Sequence, residues 1–402
     1  MAELSRTLDE VFRRDRGRVV AGLVRALGSI DAAEEAFQEA VLAALAAWPA
    51  RGLPDNPAGW LTTAAKNWAR DELRHRRIVD AKAPMLAEEE MTAPSAIEAV
   101  SDDQLRLIFT CCHPALPLES QVALTLKVIA GFTTEEIARA FVCPETTIAQ
   151  RIVRAKRTIE DKQLPYVVPE RAALPERVAA VLAVVYLVFN EGHVSRAGPL
   201  MRLDLQVEAL RLARLLCDLL PGEPEVFGLF AIVAFGCARA ATRTGDDGAL
   251  LLLSQQDRSR WDRALLKEGF VALSRARRIG PAGGYVLQAE IAACHVAAAT
   301  WEETDWAAIV ACYDELLALE PSPVVALNRA IALSLHEGPE RGLAALAGLE
   351  DALAQYHLFY ATRADFRRRL GLDARADYER ALALANNDDE RRFLQRKLDE
   401  LG

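Results

Sequence analysis

The chain reads as all-α, and three features of its sequence say so. Apolar residues fill 51 % of its 402 positions, alanine is prominent, and strand-like alternation is scarce. Residues that start helices stand in the right places: Asn56 before Pro57, Thr133 three before Glu136, and Pro144. The longest apolar run, Val178 to Phe189, has 12 residues, too few to span a bilayer, and reads as a buried core helix. No signal peptide precedes the first helical pattern. Seven scattered cysteines without CxxC spacing fit a reducing cytoplasm, and no membrane association is expected.

The first block, residues 1–77, carries helical patterns at 4–27, 31–48 and 57–77. In the second of these, Glu35, Gln38 and Glu39 share one helix surface. An acidic–amide cluster is a poor surface for DNA and a suitable one for docking a protein. In the third, Asn56 serves as N-cap and Pro57 takes the first helical position. Leu61, Ala65, Trp68 and Glu72 share one face, whereas Lys66, Arg70, Arg74 and Arg77 form a basic stripe. Trp60 sits at the entrance, where an indole can stack on an exposed base.

Residues 78–101 contain Pro84, Pro94 and the run Glu88, Glu89, Glu90 with few large apolar side chains, and read as a flexible acidic linker. This segment accounts for much of the acidity of the N-terminal part. Residues 1–165 hold 21 Lys+Arg against 24 Asp+Glu, a net of −3, yet residues 78–103 alone contribute −6. The overall charge of −9 therefore does not exclude a nucleic-acid partner.

Residues 102–164 form a third helical unit that ends in a helix-turn-helix. Thr133 and Glu136 match a capping box, and Ile137, Ala138 and Phe141 give its helix a short buried face. After Pro144, Ile148, Ile152, Ala155 and Ile159 form one apolar stripe. Thr146, Thr147, Gln150, Arg154 and Arg157 fall on the opposite side, with Arg151 on the flank and Lys156 beside them. In such a motif the N-terminal residues of the second helix reach base edges and the basic ones hold phosphates. Cys111, Cys112 and His113 lack the spacing of a zinc site and read as buried helix residues.

From residue 165 to 402 amphipathic helices are expected at 176–190, 203–219, 224–242, 257–278, 284–300, 304–319, 323–336, 340–348, 356–370, 373–385 and 388–400, with Asp257 and Thr304 as caps. The small–large spacing and interhelix proline of residues 306–346 fit TPR-type pairs, whose stacked array can take a protein or peptide ligand; an irregular bundle of Ala-rich helices is the alternative. Asn190, Glu191, His193 and Arg196 cluster after the core helix, but they complete no nucleophile–base pair or metal set. No catalytic residue, metal or cofactor is expected, and the chain is not expected to be an enzyme.

Two DNA-facing helices joined by an acidic tether are a specific combination. Residues 1–164 resemble the sigma-70 superfamily, in the extracytoplasmic-function group that keeps only sigma regions 2 and 4. "DAAEEAFQEAVLAALAAW" is similar to region 2.2, "NPAGWLTTAAKNWARDELR" to regions 2.3 and 2.4, and the stretch from Leu107 to Ile159 to region 4. "FTCCHPALP", "VVYLVFNEGH" and "PSPVVALNRAIA" resemble the subgroup with a TPR-like C-terminal extension. The resemblance implies that Glu35, Gln38 and Glu39 dock the β′ clamp of bacterial RNA polymerase core, with region 4 meeting the β flap. It also implies that Trp60, Lys66, Asn67, Arg70, Arg74 and Arg77, after a loop from Pro49 to Asp55, hold the melted −10 element of promoter DNA. Thr146, Thr147, Gln150, Arg151 and Arg154 would read the −35 element, with Lys156 and Arg157 on its phosphates. A one-component helix-turn-helix regulator with a helical sensor is the alternative. It leaves the helix at 57–77 and the acidic linker without a purpose.

Overall fold

The computed structural model describes residues 2–79, 96–141, 143–193, 203–245, 251–385 and 388–401. Eighteen α-helices and three short 3-10 turns, and no strand, occur among them. The chain divides into two compact units, Met1–Val188 and Phe189–Gly402.

In the N-terminal unit α1 (Ala2–Leu27), α2 (Ile30–Arg51) and α3 (Pro57–Val79) pack on one another. Val20, Leu23, Ala33, Phe37 and Leu61 fill their shared core. Ser29 caps α2 by accepting from Ala32 N, and Asn56 Oδ1 accepts from Gly59 N at 2.9 Å at the start of α3. Helix α2 outruns its expected end. Pro49 sits inside the last turn and the helix continues to Arg51, so the loop expected from Pro49 begins instead at Gly52, whose φ of 81° suits glycine.

Helix α4 (Ala96–Cys111) starts within the stretch expected to be linker. Residues 96–101 are therefore helical, and the rest of that linker, from 80 to 95, lies outside the described residues. Then follow α5 (Leu118–Val128), α6 (Thr134–Ala140) and α7 (Glu145–Asp161). The capping box is formed in both directions, Glu136 N to Thr133 Oγ1 at 3.1 Å and Thr133 N to Glu136 Oε2 at 2.7 Å. Pro144 occupies the N-cap of α7 rather than its first turn. Ile148, Ile152 and Ala155 are buried as the stripe requires, while Ile159 is half-buried. Cys111 and Cys112 are buried, and desolvation pushes the Cys112 thiol up to about 12. Among the described residues no group of His, Cys, Asp or Glu is placed to hold a metal ion.

Helix α8 (Leu174–His193) is the apolar core helix, with Val181, Leu182, Val184, Val185 and Val188 buried. Most of α8 belongs to the N-terminal unit; the C-terminal unit takes its last residues and then α9 (Leu203–Leu219), α10 (Pro224–Ala238), α11 (Arg263–Ile279), α12 (Gly284–Ala297), α13 (Trp306–Leu319), α14 (Pro323–His336), α15 (Pro339–Ala345), α16 (His357–Arg369), α17 (Arg375–Leu384) and α18 (Asp388–Asp399). Most of these helices pack chiefly on their neighbours in sequence. Pro224–Thr242 is long and apolar enough to cross a membrane, but 67 % of that window is buried inside the fold, as in a core helix.

Two expected caps fall elsewhere. Asp257 caps a 3-10 turn, and α11 is capped by Asp262, which accepts from Leu265 N at 3.0 Å. Helix α13 is capped by Asp305, which accepts from Ala308 N at 2.9 Å, not by Thr304. In each case another carboxylate stood about one turn or one residue further on, at the actual helix start.

Close helix contact in this unit depends on small residues. A Cβ on Gly228 would lie 2.6 Å from Val286 N, so α10 meets the backbone of α12 directly. The same junction is fastened by Glu225, which accepts from Gly283 N at 3.0 Å and Tyr285 N at 2.7 Å at the free end of α12. Val286 N donates to it as well, at 3.3 Å, so Glu225→Ala removes the acceptor of three backbone N–H groups and is expected to cost about 1–2 kcal/mol. Urea unfolding at neutral pH measures it, and an unchanged midpoint contradicts the fastening role.

Candidate nucleic-acid interface

Three helices of the N-terminal unit carry the candidate residues. On α2, Glu35 and Gln38 are exposed and Glu39 half-exposed, whereas Glu34 on the next position is buried. Helical spacing turns 35, 38 and 39 one way and packs Ala33, Phe37 and Ala40 the other.

On α3, Asn67 and Arg70 are exposed and joined by a hydrogen bond of 3.3 Å from Arg70 Nη1 to Asn67 Oδ1, with Lys66 half-exposed one turn back. The side chains of Arg74 and Arg77 lie outside the described residues. Trp60 is not a free platform: its ring meets Trp48 edge-on at 5.3 Å, and Trp48 stacks on Phe12 at 5.6 Å. It remains half-buried, so part of its surface stays open.

On α7, Thr146, Gln150, Arg154 and Arg157 are exposed and Thr147 and Arg151 half-exposed. Arg157 pairs with Asp161 one turn on, at 3.3 Å, in an exposed ion pair. Arg151, Arg154 and Arg157 also line a cleft of about 440 Å³ against Pro117, Glu119 and Ser120 at the start of α5.

Lys156 departs from the expectation. Its Nζ turns away from that surface and donates to Asp31 and, at 2.7 Å, to Glu34 of α2. Burial alone pushes Lys156 down, but Glu34 and Asp31 outweigh it and hold it above the ordinary lysine value. Glu34 is shared: Arg16 of α1 donates to its other oxygen, and Arg16 Nε donates to Val128 O at the end of α5. Arg16 also lies over the Phe37 ring at 5.0 Å. Tyr166, just past α7, adds a tie to α1 and α4, donating to Ala21 O at 2.8 Å and lying 3.0 Å from Asp103 O. In this structure Lys156 therefore joins the helix-turn-helix to the first block and is not free for a phosphate. Sequence reading missed Arg16, Glu34 and Tyr166. The available signal was a carboxylate at position 34, between Ala33 and Phe37 on an apolar helix face.

Three family models match the chain: Sigma-70 region 2 over residues 11–78, Sigma-70 region 4 over 106–159, and a family of unknown function (DUF6596) over 177–277. The N-terminal part of the chain thus carries sigma-70 regions 2 and 4, in that order. It is 40 % identical over 396 residues to an uncharacterized protein of Rhizobium meliloti, covering 96 % of this chain and 94 % of that one. It is also 29 % identical over 117 residues to the ECF RNA polymerase sigma-E factor of Escherichia coli, and equally to that of Salmonella typhi. Each of those matches covers 27 % of this chain and 61 % of the relative.

Proposed function

We propose that this chain is a dissociable specificity subunit of bacterial RNA polymerase that directs promoter recognition and transcription initiation. The observation that carries the reading is the pairing of sigma regions 2 and 4 with outward polar and basic residues on α3 and α7, beside an exposed acidic–amide face on α2. In this reading Glu35, Gln38 and Glu39 dock the core enzyme at its β′ clamp and region 4 meets the β flap. Trp60, Lys66, Asn67, Arg70, Arg74 and Arg77 hold the melted −10 strand, Trp60 through the part of its ring that Trp48 leaves open. Thr146, Thr147, Gln150, Arg151 and Arg154 read the −35 element, and Arg157 holds phosphate. The protein acts by binding, as a cytoplasmic non-enzyme.

The C-terminal helices fit a TPR-like regulatory array, since most pack on their sequence neighbours and bury small local cores such as Leu327, Phe359 and Phe366. Tyr166 and Arg177, which donates to Phe109 O, hold the start of that extension in the N-terminal unit. That supports a role in bracing region 4.

Comigration of the full chain with core polymerase on a sizing column tests the assignment. Glu39→Lys reverses an outward charge without touching the core, so it should weaken association by about tenfold or more while circular dichroism stays native. Unchanged association in a folded variant contradicts the docking face.

A further inference from the structure

The C-terminal unit gathers cationic side chains where α10 ends. Arg239 follows Ala238 as C-cap, and its Nε donates back to Phe235 O at 3.3 Å, leaving the two terminal nitrogens of the guanidinium for other acceptors. Two hydrogen bonds draw the chain just after the Arg258 turn against this point, and a third holds Thr242 to it. Asp262 N donates to Ala238 O, Trp261 Nε1 donates to Thr242 Oγ1 at 2.9 Å, and Thr242 Oγ1 donates to Arg239 O at 3.0 Å. Arg258 lies over the Trp261 ring at 5.0 Å and spends Nη1 on the carbonyls of His295 and Ala298, at 2.7 and 2.6 Å. Its Nη2 is buried with no hydrogen-bond partner. His295 completes the group. Its ring lies parallel to Trp301 and edge-on to Trp306, and its Nδ1 is also buried with no partner.

Acids do not answer Arg239 or His295. Glu302 and Glu303 are exposed and act on Arg258 alone of the three groups, and Asp257 is exposed and spent on Ser259 N and Oγ. Burial first, then Arg258, lowers Arg239 to about 10, so it stays charged at neutral pH. Burial first, then Arg239 and Arg258, holds His295 down to about 4, so it stays neutral and keeps one N–H to donate. Desolvating a guanidinium without a counter-charge is costly. The two terminal nitrogens of Arg239, Nη2 of Arg258 and an imidazole N–H, on residues that these hydrogen bonds bring together, make up a donor set suited to an oxyanion.

We propose that Arg239, Arg258 and His295 form a binding site for a small oxyanion, the phosphate or carboxylate group of a soluble ligand. The site lies wholly in the C-terminal unit and does not depend on the promoter reading. Arg239 grips the anion through its free fork, Arg258 adds Nη2, and His295 sets the orientation.

Thermal unfolding and calorimetry of the full chain, titrated with sodium phosphate or sodium succinate at an ionic strength fixed by chloride, test this. One of the two anions is expected to stabilise saturably with one site per chain. A response to phosphate alone assigns a phosphoryl ligand, and one to succinate alone a carboxylate. Arg239→Met should bind that anion at least about tenfold more weakly. In chloride alone the variant should melt no lower than the parent, because it removes an unanswered buried charge. Three results overturn the site: no saturable response to either anion, equal affinity in Arg239→Met, or a variant that melts markedly lower in chloride, which makes the guanidinium structural.

Discussion

Glu34→Ala is expected to destabilise the N-terminal unit by about 3–5 kcal/mol, the penalty for leaving buried cations without their partner. Side-chain exposure decides the magnitude: Glu34 is 8 % exposed, Arg16 10 % and Lys156 15 %. A surface ion pair contributes less than about 1 kcal/mol, so a loss that small would contradict the buried cluster. The pH dependence follows from Lys156, whose pKa folding raises. A group raised in this way contributes stability that is complete below its unfolded pKa, about 10.4 for lysine, and is lost as pH rises through the folded value. The cost of Glu34→Ala should therefore hold steady across neutral pH and shrink only in alkali. Urea midpoints at neutral and alkaline pH measure both. Lys156→Met should recover part of the loss when added to Glu34→Ala, because it removes one of the stranded charges.

Arg154→Ala carries the largest expected effect on recognition. Its side chain is exposed on α7, away from the buried Ile148, Ile152 and Ala155. If it pairs with a base edge it should cost about 1–3 kcal/mol in promoter binding and relax preference at one −35 position. Arg157, already paired with Asp161, should give the contrasting result: a small, sequence-independent loss and a shallower salt dependence. Selection of bound sequences from a randomised −35 library separates them. Unchanged preference with Arg154→Ala removes α7 from base reading.

Local signals made most of the fold legible. The Thr133/Glu136 box, Asn56 before Pro57 and the Ile148, Ile152, Ala155 stripe each fix backbone within a few residues, and each is present as read. Errors lay where two residues competed for one role. Asp262 displaced Asp257 and Asp305 displaced Thr304 at helix starts, because several carboxylates or hydroxyls stood within a turn. The exposed residues of α2 and α7 follow from helical period, but the fate of Lys156 does not. Whether that lysine faces solvent depends on Asp31 and Glu34, more than a hundred residues earlier, and no local pattern encodes that contact. The edge contact of Trp60 with Trp48 was hidden similarly, since it joins two helices. The Arg239, Arg258 and His295 group was invisible for the same reason.

In the proposed role this chain gives core polymerase its promoter specificity. In vitro transcription tests it most directly, with the purified full chain and core enzyme on supercoiled genomic fragments. Discrete transcripts should start at a common pair of −10 and −35 sequences, appear only when the chain is added, and shift in preference with Arg154→Ala. Absence of such starts, with the chain folded and core competent with another sigma factor, would contradict the account.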